Sequence, residues 1–213
     1  MVGLPASAVL AVVAVVVSGA LAIFAAERQI HWLQAVTKPL ATALLFAVVG
    51  WPHTRLAGWV HAGIAFSILG DIALLSATDG AFLVGLGAFL VAHIAYVVGF
   101  AGVAAWAPFV AVVAVLTGTL SVMVLRAIWP NTTGKHPAVI AYGIAITAMV
   151  TSAFGTVAGG WPAGAYAAAG SLLFYASDSS LALNRFRRRI PHAPFLTLGL
   201  YWLGQIGIAI AAR

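Results

Sequence analysis

Four ionisable residues, Lys38, Asp71, His93 and Asp178, each fall inside a long apolar run. Asp71 ends the stretch Phe66-Ser67-Ile68-Leu69-Gly70-Asp71, and Asp178 ends Leu172-Leu173-Phe174-Tyr175-Ala176-Ser177-Asp178. The chain has four acidic residues. The other two, Glu27 and Asp79, sit at loops, so half of the acid lies where charge is costly and marks either function or a compensating partner. Two neighbouring carboxyls that share a proton divide into an acid and a base. A lysine beside them can oppose their charge, hold a phosphate, or snorkel to an interface. Less costly polar residues accompany the four: Ser67, Tyr96, Tyr175, Ser177, Asn184, Tyr201 and Gln205. At helical spacing Ser67 lies one turn before Asp71 and Tyr175 one turn before Asp178, each placed to hydrogen-bond the acid of its own helix. His93 and Tyr96 share a face, as do Tyr201 and Gln205. The competing reading is structural: each polar group bonds a neighbouring helix, and the two aspartates balance Lys38.

The elements that carry these residues follow from composition. The chain has 213 residues, 63% hydrophobic and 7% charged, with a mean hydropathy of +1.10. A soluble domain is about a quarter charged, so this chain cannot cover itself with water-facing groups and lipid is its solvent. A crossing helix needs roughly 20 apolar residues, and windows fit at about 4–26, 32–50, 57–76, 81–103, 106–128, 137–158, 162–184 and 193–212. The expected fold is all-α, a polytopic membrane bundle of about eight transmembrane helices in a single domain over residues 1–213. Punctuation supports the cuts: Glu27-Arg28-Gln29, Trp51-Pro52-His53, Thr78-Asp79-Gly80, Trp106-Ala107-Pro108, Trp129-Pro130-Asn131 and Gly159-Gly160-Trp161-Pro162. Most tryptophans fall at these edges, as an interfacial belt requires. No Lys or Arg precedes the first apolar segment, which therefore reads as a retained span, not a cleaved leader.

The formal charge of +6 does not point to nucleic acid, because Arg185, Arg187, Arg188 and Arg189 crowd between two apolar runs. Topology and anionic headgroups account for such a cluster. There are no cysteines, which excludes disulfides and thiolate metal sites. One central histidine with two aspartates is a thin ligand set, so no metal and no cofactor are expected. Arg28, Arg126, Lys135 and the four arginines sit in odd-numbered connections, against Arg55 and Arg213 elsewhere. The odd connections are therefore expected in the cytoplasm of a cell-membrane protein with both termini outside. The sequon at Asn131-Thr132-Thr133 then falls on the cytoplasmic side and is read as chance. In that orientation Lys38, Asp71, His93, Asp178 and Gln205 occupy one layer between the cytoplasmic interface and the midplane, where a single polar pocket could hold them.

Five segments in order resemble the YhhN family of membrane proteins: Thr37-Lys38-Pro39-Leu40, Leu69-Gly70-Asp71, Ala92-His93-Ile94-Ala95-Tyr96, Gly170-Ser171-Leu172-Leu173-Phe174-Tyr175-Ala176-Ser177-Asp178 and Tyr201-Trp202-Leu203-Gly204-Gln205. Each motif alone is weak, but their order and placement extend over nearly the whole chain. Animal members of that family are lysoplasmalogenases, which hydrolyse the vinyl ether of a lysoplasmalogen to a fatty aldehyde and a glycerophospho-ethanolamine or -choline. The resemblance implies a lysophospholipid substrate, the bilayer as surroundings, and a site lined by Lys38, Asp71, His93, Tyr96, Asp178 and Gln205. With Tyr175 and Tyr201 added from helical position, Asp71 and Asp178 are the expected catalytic pair and the others contact substrate. In such a reaction one aspartic acid protonates the β-carbon, and the second, ionised, steadies the oxocarbenium ion and activates water, as in a glycosidase. Two rivals use the same acids. A proton-coupled transporter would employ them as a relay. An intramembrane aspartyl protease would need Gly-x-Gly-Asp, which Ile68 interrupts.

Overall fold

The computed structural model describes residues 4–213. The described residues form α1 (Ala6–Glu27), α2 (His31–Ala43), α3 (Leu45–Val49), α4 (Arg55–Ala73), α5 (Asp79–Ala101), α6 (Pro108–Ile128), a 3-10 turn (Trp129–Asn131), α7 (His136–Ala158), α8 (Gly164–Phe186) and α9 (Ala193–Ala211), with no strand among them. The expected windows are recovered with small shifts. The second is broken at Leu44, where α2 and α3 meet, and Pro39 lies inside α2. The third ends earlier than expected, at Ala73, so Asp71 lies in its last turn. Helix starts obey ordinary capping. Thr54 accepts from the Ala57 N–H at 3.0 Å and Thr78 from that of Ala81 at 3.2 Å, and α6, α7 and α9 each place a proline in the first turn.

Among the described residues seven segments are long and apolar enough to cross a bilayer, α2 and α3 counting as one. The remaining helix, α8, is 23 residues long, and its hydropathy is lowered by polar residues that include the run Ser177 to Ser180. Contacts between connections show that α8 nevertheless runs the length of the bundle. At one end Arg185 reaches Asp79 at 2.9 Å, Lys135 reaches the same carboxylate at 3.2 Å, and His192 reaches Glu27 at 3.3 Å. At the other end the Trp161 indole donates to the Ala211 carbonyl at 2.8 Å, the Ala105 amide to Gly155 at 2.9 Å, and Arg213 to Val48 at 2.6 Å. The odd-numbered connections thus share one end, and the even-numbered ones share the other with the C-terminus. This is the alternation of an eight-pass bundle, and the chain is a multi-pass membrane protein. The basic residues of the odd connections gather at one end.

The surface is inside-out relative to a soluble protein. Many Val, Leu and Ile side chains face outward, while Ser18, Thr37, Lys38, Thr42, Ser67, Asp71, His93 and Gln205 are buried, as expected where lipid is as apolar as the core. Trp32, Trp51, Trp106 and Trp129 are exposed at the ends of spans, the positions of an interfacial belt. Helices α8 and α9 pack closely along their length. Their backbones meet at Gly170, Gly204 and Gly207, where an added Cβ would lie 2.6–2.9 Å from partner backbone atoms.

Candidate functional site

The polar residues form two clusters on opposite sides of an aromatic layer, where a single pocket had been expected. The first is built by α2, α4, α5 and α9. Lys38 and Thr42, one turn apart on α2, both face Asp71. The Lys38 ammonium lies 3.4 Å from one carboxylate oxygen and donates to the Asp71 carbonyl at 3.2 Å. Thr42 donates to the other oxygen at 2.5 Å and Tyr201 to the same oxygen at 3.0 Å. The network continues through α9. The Gln205 amide donates to Ser67 at 3.0 Å and to the Tyr201 hydroxyl at 3.4 Å, and its carbonyl accepts from Tyr96 at 2.8 Å. Glycines on α4 let α5 approach: Gly63 faces the Tyr96 ring and Gly70 the Phe89 ring, each too close for a side chain. Lys38 and Asp71 are almost completely buried, so Lys38 neither snorkels nor presents itself to a headgroup. Ser67 serves Gln205, not the aspartate one turn away.

The second cluster belongs to α5, α7 and α8. Tyr142 donates to one oxygen of Asp178 at 2.5 Å, and His93 Nε2 lies 3.6 Å from that same oxygen. His93 is fully buried, and its Nδ1 is 2.6 Å from the Phe89 carbonyl. That contact requires Nδ1–H and makes Nε2 an acceptor in the neutral ring. His93 Nε2 is the one buried side-chain polar atom without a hydrogen bond among the described residues. The second oxygen of Asp178 makes no hydrogen bond among the described residues, and the side chain is slightly exposed. Asp178 lines a cavity of about 80 Å³ between α5, α6, α7 and α8. Its wall is apolar except at Asp178, Tyr142, Tyr175, Ser121 and Ser179. Tyr175 lines the cavity, but its hydroxyl lies 2.9 Å from Ser121 and donates to the Thr117 carbonyl at 3.2 Å, not to Asp178.

Phe89 and Phe174 stand between the clusters. The Phe174 centroid is 4.8 Å from that of His93 and 5.2 Å from that of Tyr201. Phe89 packs edge-on to Tyr201 at 5.8 Å and lines the cavity. The two expected catalytic acids therefore share an aromatic wall, but no hydrogen bond or ion pair joins them among the described residues. Ser177 and Asn184 are structural: Ser177 donates to the Thr197 carbonyl at 2.8 Å, and Asn184 accepts from the Ile190 amide at 2.8 Å. Asn131 of the sequon spends its side-chain amide on the Phe186 carbonyl at 2.6 Å. Sequence reasoning missed Thr42 and Tyr142. Thr42 lies one turn beyond Lys38, which is a usable signal. Tyr142 is separated from every other member of its cluster by a helix or more, and only tertiary packing reveals it. No group of three or more metal-ligating side chains is present among the described residues.

Comparison with known proteins bears on this arrangement. The YhhN family model matches residues 33–212, from just before Lys38 to the end of α9. The chain belongs to the YhhN family. Among its relatives, the lysoplasmalogenase TMEM86B of Homo sapiens is 29% identical over 190 residues, covering 87% of this chain and 78% of that protein. The lysoplasmalogenase TMEM86A of Bos taurus is 28% identical over 158 residues, 72% of this chain and 64% of its own length. TMEM86B of Sus scrofa is 27% identical over 194 residues, 87% of this chain and 77% of its own. No solved structure matches. Within this YhhN chain both clusters, the aromatic wall and the cavity lie inside the matched residues.

Proposed function

We propose that this protein is a lysoplasmalogenase-like hydrolase that cleaves the vinyl ether of a lysophospholipid, and that Asp178 is the acid that touches the substrate. The names of its relatives support the reaction class. The observation that supports the assignment within the site is Asp178 itself: it lines a largely apolar cavity, where it is the one acid, and one of its carboxyl oxygens makes no hydrogen bond among the described residues. A vinyl ether is attacked by a proton at its β-carbon, and an acid held in apolar surroundings is suited to that step.

The reaction balances on one carboxyl. The Asp178 proton goes to the β-carbon, the π bond is consumed, and the cation left on the α-carbon is shared with the ether oxygen. The resulting carboxylate steadies this oxocarbenium ion. A water beside the Asp178 carboxylate in the cavity attacks the α-carbon and gives its proton back to Asp178. The hemiacetal then collapses. Its hydroxyl proton passes to the glycerol oxygen as the carbon–oxygen bond breaks, releasing a fatty aldehyde and the glycerophospho-headgroup. Tyr142 fixes the Asp178 rotamer by its hydrogen bond. In this reading Asp71 acts at one remove: held by Lys38, Thr42 and Tyr201, it positions the aromatic wall against which the vinyl ether lies. The end rich in arginine faces the cytoplasm, with both termini outside.

The test is aldehyde release from lysoplasmenylethanolamine by purified protein, with Asp178→Asn and Asp71→Asn variants. The expected result is aldehyde from the wild type, a loss of several orders of magnitude in Asp178→Asn, and a smaller loss in Asp71→Asn that tracks a lower unfolding temperature. Folded wild type that releases no aldehyde across headgroups would remove the vinyl ether assignment. Aldehyde release that survives Asp178→Asn would keep the reaction and overturn the acid.

A further inference from the structure

The cavity that Asp178 lines has an end toward the odd connections, and basic side chains gather at that end. Phe82, Ile128 and Phe186 form a small apolar cluster at the end of the cavity nearest the odd connections. The Arg185 guanidinium lies over the Phe82 ring, 4.2 Å from its centroid, and 6.0 Å from that of Phe186. Asp79 holds it there at 2.9 Å and holds Lys135 at 3.2 Å. Two cations share one carboxylate, which leaves a net positive charge at that end. Both cations are partly accessible, with side chains 26% and 18% exposed. A guanidinium against an aromatic face keeps its outer N–H groups available to a phosphate.

Spacing ties this rim to the acid. Asp178 and Arg185 are seven residues apart on α8, so they lie on one face, separated along the axis by about 10 Å at 1.5 Å per residue. In a lysoplasmalogen roughly seven bonds separate the phosphorus from the vinyl β-carbon, a reach of about 9 Å when extended. The cavity shares Ser121, Leu125 and Gly143 with a cleft of about 780 Å³ between α6 and α7. Exposed Val122 and Ile144 line that cleft, which gives an alkenyl chain an apolar course toward the bilayer.

We infer that Arg185 and Lys135, held by Asp79, bind the phosphodiester of the lysophospholipid headgroup, and that α8 acts as a ruler setting the vinyl ether against Asp178 two turns deeper. The inference rests on the hydrolase reading above, and the test separates the two. Binding is measured in detergent micelles with the saturated ether analogue 1-O-hexadecyl-glycerophosphoethanolamine, which cannot be cleaved at a vinyl ether, and with 1-O-hexadecylglycerol, which lacks the phosphate. The wild type should favour the phospholipid by tenfold or more. Arg185→Gln with Lys135→Gln should abolish that preference while leaving 1-O-hexadecylglycerol bound as before. Asp79→Asn should sharpen the preference, since it frees both cations, whereas a purely structural triad would lose binding of both lipids. Unchanged preference in the double variant, equal loss of both lipids, or displacement by inorganic phosphate at the lipid's own concentration would each overturn the headgroup site. Aldehyde release from lysoplasmenylethanolamine is followed in parallel. Absent release with the binding pattern intact removes the hydrolase reading and leaves the anion site standing. Release with KM unmoved in the double variant does the reverse.

Discussion

At the scale of single residues, Lys38 and Asp71 are ion-paired and almost completely buried. Removing one partner of a buried pair strands the other charge, whereas removing both can be nearly neutral. Lys38→Met is therefore expected to cost about 3–5 kcal/mol, and a Lys38→Met/Asp71→Asn double variant to recover most of it, measured by unfolding in detergent. A double variant as unstable as the single would show that Asp71 is held mainly by Thr42 and Tyr201. Tyr142 makes a different kind of contact, because its hydroxyl serves the carboxyl at the cavity. Tyr142→Phe keeps the ring and loses one hydrogen bond to that group, worth about 1.5–3 kcal/mol. The expected consequence is a fall in kcat of about ten- to a hundredfold with KM little changed; a rise in KM alone would make Tyr142 a substrate contact. The acids, the lysine and the central histidine were legible in the sequence because each interrupts an apolar run where ionisable groups are costly. Their partners were not. Helical spacing nominated Ser67 and Tyr175 as ligands of the nearest acid, but packing turned Ser67 to Gln205 and Tyr175 to Ser121 and Thr117.

At the scale of elements, the apolar runs and their Trp, Pro and Gly punctuation were enough to place every crossing segment. What they hid was the break at Leu44, since a proline inside a run leaves open whether the helix kinks, splits or continues. They also hid how α8 tolerates its polarity. This helix turns Ser177 and Ser180 to α9 and Asp178 to α7, and so keeps those groups off the lipid. Its hold on α9 depends on backbone approach. A methyl at Gly170 would meet Gly204 O at 2.6 Å, and one at Gly204 would meet Gly170 O at 2.7 Å. Backbone cannot move aside as a flexible side chain does, so Gly170→Ala and Gly204→Ala should each cost about 1–3 kcal/mol, the usual penalty of overpacking. Gly199 on the same helix has nothing within 4 Å, so Gly199→Ala is the matched control and should unfold as the wild type does. Equal stability of all three would mean that α8 and α9 are not held by close backbone contact.

At the scale of the whole molecule, the contacts between connections divide the bundle into two ends without saying which faces the cytoplasm. The proposed orientation rests on charge. Arg28, Arg126, Lys135, Arg185, Arg187, Arg188 and Arg189 lie in or beside the odd connections, and Arg55 and Arg213 at the opposite end. Short loops rich in Lys and Arg remain in the cytoplasm. The end of the cavity nearest Arg185 is the basic end, so in the proposed reaction orientation also decides which leaflet supplies substrate and receives the aldehyde. Because the chain contains no cysteine, single replacements report position without background. Pro191 and Pro52 are exposed, one in the last odd connection and the other between α3 and α4, and neither takes part in either polar cluster. In intact cells a membrane-impermeant maleimide should label Pro52→Cys and leave Pro191→Cys unlabelled until the membrane is opened. The reverse pattern would turn the bundle over and place the same chemistry at the outer leaflet, and labelling of both in intact cells would break the eight-pass alternation. The expected pattern would set both Asp178 and the arginine rim at the inner leaflet, where headgroups enter from the cytoplasmic side and chains from the bilayer between α6 and α7.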